Sequence, residues 1–351
     1  MKRYISLFVI LILISLSLSG CYDAKSIENF AYVIAVGIDT GTTNTLKLTF
    51  QFAVPNNSAS NDESGQGSTQ SSDSSILSVE CSSIDSGISL INGHISKKVN
   101  LSHCKAVIMS EALSSGGVSD YVKTLMNNIE IRPDTNIIIS KCSASDFLQN
   151  SKPPLEDLSA KYYEIILNSS EYTGYSGNVT LSGFYSNMAD NSSEAYASLG
   201  DINPDTKSVS NIGTAVFKGD TFVGELDSIE TICHLIITKN INTATISIPS
   251  PFDNKNTIAL SISMSRKTKA SVEFTNGLPY IKLDVSIEAN ILSMNGNVDY
   301  TNSDNLKLIE ESANAYLYTN INAYLYKTSK DFKSDISGFR QICEKILFYY
   351  R

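Results

Sequence analysis

The first chemistry in this sequence is that of a cysteine thiolate at position 21. Lys2 and Arg3 precede an apolar run from Tyr4 to Leu18, and Leu18-Ser-Gly-Cys21 follows. A basic start, a short apolar segment and small residues before a cleavage site are typical of a secretory signal peptide. A cysteine placed directly after the site can take a diacylglyceryl group, so we expect residues 1–20 to be removed and Cys21 to carry a lipid anchor.

Two other interpretations of this segment are an ordinary secretion signal and a transmembrane helix followed by chance by a cysteine. The run from Tyr4 to Leu18 is shorter than the ~20 residues that a helix needs to span a bilayer, and no other apolar run in the chain reaches that length. We therefore favour a lipoprotein whose body is tethered to a membrane, since two or more acyl chains anchor a protein stably.

A second motif with nucleophile chemistry is Ser102-His-Cys-Lys105, which matches the SxxK pattern. In that pattern a lysine deprotonates a serine one helical turn earlier. Here the motif leads into the strand-like run Ala106-Val-Ile-Met109, where positions three apart face opposite sides. We predict no catalytic residue, and we interpret His103 as a structural residue at a strand entrance, or less favourably as a proton relay.

Other enzyme and metal signatures are missing from the sequence. The chain has three histidines and no HExxH, GxSxG or GxxxxGK[ST] motif. Five cysteines remain if Cys21 is lipidated, at positions 81, 104, 142, 233 and 343, and none forms a CxxC pair. An odd number at wide spacing favours small buried residues over a disulfide framework or a zinc site, so we predict no metal and no cofactor.

The charge of the chain argues against nucleic acid as a partner. Without residues 1–20 it carries 25 basic and 36 acidic side chains, a formal charge of −11. An acidic surface repels phosphate backbones and anionic headgroups, so anchoring should depend on lipid rather than on a basic patch. The remaining length, about 330 residues, suffices for two or three cores.

Hydrophobic periodicity predicts an α+β protein of two to three domains with mixed sheets and helices. Apolar residues alternate from Leu46 to Val54 as on a strand, and the polar stretch 56–75 predicts a disordered loop. Ser119 is positioned to cap a helix, and a long helix should run from about Asp304 to Lys327. A polar region before residue 211 marks a boundary between domains at 21–200 and 206–351.

Three residues are candidates for a partner interface. Arg132, before Pro133, either pairs with a nearby acid or anchors a partner, because arginine is enriched at interface hot spots. Tyr316 and Tyr318 on the long helix need not both fit its buried stripe, and exposed tyrosines suit a partner surface. Asp39, after Gly37-Ile38, is interpreted as a turn former rather than a ligand.

The order of local motifs resembles the Ger(x)C lipoprotein family, the C subunits of nutrient germinant receptors in endospore-forming bacteria. The motifs are Cys21-Tyr-Asp23, Ala31-Tyr-Val-Ile-Ala-Val-Gly-Ile-Asp39, Leu101-Ser-His to Glu111-Ala-Leu113, Glu130-Ile-Arg-Pro-Asp134, Ser145-Asp-Phe-Leu148, Gly213-Thr-Ala-Val-Phe-Lys-Gly-Asp220 and Gly224-Glu-Leu226. Each motif alone is weak, and their shared order behind a lipidation signal carries the resemblance. The family usually has tryptophan after the lipidated cysteine and near the end of the chain, where this sequence has Tyr22 and Phe348-Tyr-Tyr350.

This resemblance implies a mixed α/β lipoprotein that works with two integral membrane subunits of A and B type. Its implied location is the outer face of the spore inner membrane, and its implied role is assembly and signal coupling in nutrient-triggered germination. The alternative is an extracytoplasmic solute-binding or cell-wall-modifying lipoprotein. A solute-binding protein would show a ligand cleft between two lobes, and a wall enzyme would depend on Ser102.

Overall fold

We analysed a computed structural model of the full chain. It describes residues 1, 3–6, 8, 26–54, 74–151, 162–163, 167–168, 170–190, 192–203, 205–206, 208–238, 241–253, 255–276, 278–294 and 298–349. Cys21 lies outside these residues, as does most of the predicted signal peptide. Residues 56–73 of the predicted loop also lie outside them, whereas Ser74 and Ser75, its last two positions, begin a strand.

The strands form one large and one small sheet. Their bounds are β1 Phe30–Thr40, β2 Leu46–Ala53, β3 Ser74–Cys81, β4 Lys98–Asn100, β5 Ala106–Ser110, β6 Asn136–Ser140, β7 Tyr196–Ile202, β8 Val209–Lys218, β9 Thr221–Leu226, β10 Thr243–Pro249, β11 Thr257–Thr275 and β12 Leu278–Met294. The nine-stranded sheet has the order β3-β2-β1-β5-β6-β7-β8-β9, and β4 pairs with the start of β1. The small sheet has the order β10-β11-β12.

The helices connect these strands and cover their faces. Their bounds are α1 Ile84–Asn92, α2 Glu111–Ser114, α3 Ser119–Asn127, α4 Ala144–Asn150, α5 Ser170–Thr173, α6 Leu181–Ala189, α7 Ser228–Thr238, α8 Ser303–Tyr326 and α9 Phe339–Tyr349. Helix α8 continues into a π-helical turn at Lys327–Asp331. The predicted α+β class and the predicted long helix are both confirmed.

The centre of the large sheet is buried on both faces. Strands β1, β5, β6 and β7 are parallel, and β5 and β6 are buried along their full length. Val107 and Met109 pack into a core shared with α1, α3 and α6, while Ala106 and Ile108 pack into another shared with α4. Continuous apolar runs are typical of strands covered on both faces, which explains why these segments do not alternate.

The predicted domain boundary lies between two paired strands of the large sheet. Strand β7 ends at Ile202, and β8 pairs antiparallel with it from Val209 onward. Strands β8 and β9 form a hairpin around Gly219-Asp220 and complete the sheet that begins with β1 to β3. The division into domains at 200–206 therefore stays a prediction.

The small sheet carries α7 and α8 on one face. Alternate residues of β10, Ala244, Ile246 and Ile248, pack with Ile309 and Leu317 of α8 in one core. A further core joins α7 and α8 to β8 and β9 of the large sheet. Beyond Ser263, where β10 ends its pairing with β11, β11 and β12 continue together as far as Thr275 and Leu278.

Candidate functional site

The serine of the SxxK motif lies in a turn rather than at the start of a helix. The side-chain oxygen of Asn100 accepts hydrogen bonds from the Ser102 backbone N–H at 3.0 Å and from the Ser102 hydroxyl. The His103 ring lies edge-on to Tyr32, with Nδ1 3.1 Å from the Ser102 hydroxyl oxygen. These contacts describe an Asx-turn at the entrance to β5, in which asparagine fixes the serine.

The described cysteines are free thiols in apolar surroundings. Positions 81, 104 and 233 are buried, and positions 142 and 343 are half-buried. Burial raises the pKa of Cys104 and of Cys233 to about 12, so both remain protonated at neutral pH. In the part of the chain that the structure describes, no three His, Cys, Asp or Glu side chains lie close enough together to hold a metal ion.

His234 is a buried histidine on α7 that the sequence motifs did not single out. Its ring packs edge-on against Tyr196, and its Nδ1 lies 2.8 Å from the Tyr324 hydroxyl. That hydroxyl lies 2.6 Å from the Ser337 hydroxyl, whereas the buried Nε2 of His234 has no hydrogen-bond partner among the described residues. Burial lowers the pKa of His234 to about 3, which keeps the ring neutral. The apolar run around it, Ile232 to Ile237, was the available sequence signal.

The Gly37-Ile-Asp39 motif attaches α4 to the end of β1. The Asp39 carboxylate, which is 6% exposed, accepts hydrogen bonds from the backbone N–H groups of Ala144 at 2.8 Å and Ser145 at 3.0 Å. A Cβ at Gly37 would lie 3.0 Å from Leu148 of the same helix. Asp39 is therefore a cap for a helix about a hundred residues away, which is neither the predicted turn former nor a ligand.

The Gly213 to Asp220 motif has a similar structural role. The predicted cap of α3 by Ser119 is wrong, because Ser119 is the first helical residue and its N–H lies 3.3 Å from the Asp220 carboxylate. The Asp220 carbonyl also accepts a hydrogen bond from Val118 at 2.9 Å. A Cβ at Gly213 would lie 2.0 Å from the Leu226 carbonyl oxygen. Asp39 and Gly37 in one motif, and Asp220 and Gly213 in the other, thus have structural roles in packing and helix capping.

Arg132 pairs with the acid two residues away. Its Nε and Nη2 donate to the two carboxylate oxygens of Asp134 at 3.0 and 2.7 Å, and both side chains are about 60% exposed. This agrees with the structural interpretation of Arg132. The exposed guanidinium also stays a candidate for contact with a partner.

A cleft with a volume of about 1200 Å³ lies between β12 and α8. One wall is Tyr280 to Val285 and Ile287, and the other is formed by Leu317, Tyr318, Ile321 and Leu325 of α8. Residues between Thr328 and Arg340 also line the cleft. All of the lining residues come from the carboxy-terminal part of the chain, so the cleft is formed within one unit rather than between two lobes.

The two candidate tyrosines have different environments. Tyr318 is 74% exposed and lines the cleft. Tyr316 is half-buried against the core between α8 and the small sheet. Positions two apart on a helix differ by about 200°, so the two side chains face nearly opposite directions. The structure brings Tyr318 to the cleft and places neither Tyr316 nor Arg132 there.

The cleft has the chemistry of a binding surface. Its lining combines aliphatic side chains of β12 and α8 with charged side chains at Lys282, Asp284, Lys333, Asp335 and Arg340. Its lining contains neither a cysteine nor a histidine. Among the described residues, no helix combines the length and the apolar character needed to cross a membrane.

Comparisons with known proteins identify relatives along nearly the whole chain. The family described as spore germination protein, N-terminal domain, matches residues 23–202, and the family described as spore germination B3/GerAC like, C-terminal, matches residues 212–350. YfkR of Bacillus subtilis is 22% identical over 348 residues, covering 97% of this chain and 88% of the relative. Spore germination protein KC of the same organism is 22% identical over 369 residues, covering 97% and 87%.

A relative from a second species and a solved structure are also similar. Spore germination protein GerQC of Bacillus cereus is 21% identical over 311 residues, covering 89% of this chain and 81% of the relative. The crystal structure of the GerBC protein is 16% identical with a TM-score of 0.47, covering 86% of this chain and 84% of the other.

Proposed function

Because the chain belongs to the GerAC-like family of spore germination proteins, we propose that it is the C subunit of a nutrient germinant receptor. The observation that carries this proposal is the match of both family regions, in order, to residues 23–202 and 212–350. Family membership confirms the resemblance drawn from the motifs. We propose the same two regions, divided at 200–206, as its functional domains.

The proposed subunit is held at the outer face of the spore inner membrane by lipid on Cys21. Support comes from the sequence, in which small residues precede Cys21 and the matched family region starts two residues after it. A diacylglyceryl group together with an amide-linked chain would provide the two or more chains that stable anchoring requires.

The proposed mechanism is assembly with A-type and B-type integral membrane subunits, without hydrolytic chemistry. Three features support a binding role: an Asn100 side chain that holds the Ser102 hydroxyl, buried thiols with raised pKa values, and a large apolar cleft with Tyr318 at its wall. Arg132, Tyr316 and Tyr318 are the proposed contact residues, with Tyr316 contributing only through its exposed edge.

The anchor is tested by Cys21→Ala in the full precursor, with Cys142→Ala as the matched control. Cells are labelled with an alkyne fatty acid and separated into membrane and soluble fractions. We expect Cys21→Ala to carry no label and to appear as a soluble or uncleaved precursor, and Cys142→Ala to behave like wild type. Wild-type labelling of Cys21→Ala would contradict the assignment of the anchor.

Assembly is tested by affinity purification of the tagged chain from detergent-solubilised spore membranes. We expect integral membrane subunits to copurify in wild type and in Ser102→Ala alike. Purification of the chain alone, or Ser102-dependent cleavage of peptidoglycan by the purified protein, would contradict the proposal and favour a wall enzyme.

A further inference from the structure

The edge of β12 that faces the cleft has no strand beside it in the described structure. The strand pairs with β11 on its other side and is last in the order β10-β11-β12. The residues from Tyr280 to Val285 all line the cleft, without a gap. Because alternate side chains of a strand point to opposite faces, an unbroken run of lining residues means that the cleft reaches the edge of the strand itself.

An unpaired strand edge presents N–H and C=O groups that can pair with another extended chain. Opposite this edge, Leu317, Ile321 and Leu325 of α8 form an aliphatic wall. Ile281, Leu283 and Val285 of β12 are half-buried beside it. A groove between an edge strand and a helix is the geometry in which proteins bind a peptide as an added strand, with main-chain pairing on one side and side-chain pockets on the other.

Basic side chains outnumber acidic ones in the lining of the cleft, where Lys282, Lys333 and Arg340 lie with Asp284 and Asp335. Asp284 lies 3.5 Å from Arg266, and the Asp335 carboxylate accepts hydrogen bonds from the backbone N–H groups of Phe339 and Arg340. Both acids are therefore engaged within the chain. Lys282 and Lys333 are exposed, and neither has an ion-pair or hydrogen-bond partner in the part of the chain that the structure describes.

One of these lysines has an uncommon backbone conformation. Lys333 has φ 52°, a left-handed conformation that is uncommon for a residue with a side chain. Two available lysines in a chain with a formal charge of −9 are complementary to an acidic ligand.

The dimensions of the cleft favour an extended segment over a small molecule. Its volume of about 1200 Å³ is larger than the ~300–1,000 Å³ of small-molecule sites. A strand beside Tyr280 to Val285 would be about 20 Å long at ~3.4 Å per residue.

We propose that this cleft binds an extended, acidic and apolar segment of a membrane subunit, which adds to the small sheet as a strand next to β12. Its apolar side chains pack against α8, and its carboxylates approach Lys282 and Lys333. The identity of the partner rests on the proposed function, whereas binding of an acidic strand at this edge does not.

The partner is tested by photo-crosslinking in spores. Benzoylphenylalanine replaces Tyr280 in one strain and Phe274 in another; the two aromatic residues are exposed on paired strands, and only Tyr280 lines the cleft. We expect an adduct with a membrane subunit from position 280 and none from position 274. Adducts with a second copy of this chain, or no adduct from position 280 in spores whose nutrient response requires the protein, would overturn the proposal.

The chemistry is tested on the purified mature chain with a labelled peptide of about ten residues that alternates valine and aspartate, and with its lysine counterpart. We expect the acidic peptide to bind more tightly. The double variant Lys282→Glu and Lys333→Glu should weaken it about tenfold, while Lys282→Arg and Lys333→Arg should keep the affinity. Thermal unfolding checks that both double variants fold. The proposal would be overturned if the two peptides bound with equal affinity, or if charge reversal at Lys282 and Lys333 left the affinity for the acidic peptide unchanged.

Strand addition is tested with acidic peptides that carry N-methyl groups on alternate residues, along one edge or along the other. Only one edge of an added strand can pair with β12, so one methylated peptide should lose binding and the other should keep it. Equal affinity of both peptides would overturn pairing at this edge. This result is independent of the germination response, so it separates failure of the cleft from failure of the receptor assignment.

Discussion

Lowering the pH from 7 to 5 should destabilise the folded chain by about 2 kcal/mol, because His234 takes up a proton readily only after unfolding. The unfolded side chain titrates near pH 6.5, whereas burial lowers the pKa of His234 in the folded chain to about 3. Stability from the neutral ring is therefore complete above about pH 6.5 and is lost as the pH falls toward 3. Each pH unit within that window costs about 1.4 kcal/mol.

The assay is urea unfolding of the purified mature chain at pH 7 and pH 5, followed by far-UV circular dichroism. His234→Gln should reduce the difference between the two pH values to about 0.5 kcal/mol or less, because glutamine does not titrate. His94→Gln is the matched control, since His94 is exposed and hydrogen-bonded to the Leu90 carbonyl. His94→Gln should show the same stability difference between pH 7 and pH 5 as the wild type.

The result that would refute this reasoning is an equal pH dependence in wild type and His234→Gln. His234→Gln loses packing against Tyr196 and Tyr324, so its absolute stability is lower at both pH values. The difference between the two pH values, rather than the stability at one of them, is therefore the informative quantity.

Three further substitutions test the structural roles of motif residues by the same unfolding assay. Asp39→Ala should lower the free energy of unfolding by about 2–3 kcal/mol, because two buried backbone N–H groups lose a charged acceptor, and Asp39→Asn should lower it less. Equal stability of the wild type and both variants would refute the role of Asp39 as a helix cap. Gly213→Ala should cost about 3 kcal/mol or more, because its Cβ would lie 2.0 Å from a backbone oxygen, and an unchanged midpoint would count against that contact. Arg132→Ala should change stability by less than about 1 kcal/mol, since its pair with Asp134 is exposed. If spores with stable Arg132→Ala respond normally to nutrients, Arg132 is not a partner anchor.

Local periodicity was sufficient to predict the elements with strong patterns. The long helix was predicted from about Asp304 to Lys327 and is observed at Ser303–Tyr326, because apolar residues recur along it at steps of three or four. The buried strand Ala106–Ser110 was likewise visible in the sequence, as the apolar run from Ala106 to Met109.

Contacts between distant parts of the chain could not be predicted from such patterns. The cap of α3 comes from Asp220, which lies 101 residues away, and Asp39 reaches α4 across 105 residues. The pairing of β8 with β7 crosses the polar segment that was interpreted as a boundary. In each case the partner is set by the arrangement of the sheet and not by neighbours in sequence.

The candidate site likewise depends on contacts between distant parts of the chain. Periodicity indicated that Tyr316 and Tyr318 need not both fit the buried stripe of α8. It could not show that a cleft lies beside Tyr318, because the position of β12 relative to α8 is a tertiary property. Arg132 was recognised with two interpretations, and the pair with Asp134 supports the structural one while its exposure leaves the other open to test.

The most direct test of the receptor assignment is the nutrient response of spores that lack this chain. They should fail to germinate with at least one nutrient, germinate normally with a trigger that bypasses nutrient receptors, and recover when the wild-type chain is supplied. Normal germination of these spores with every nutrient tested would contradict the assignment.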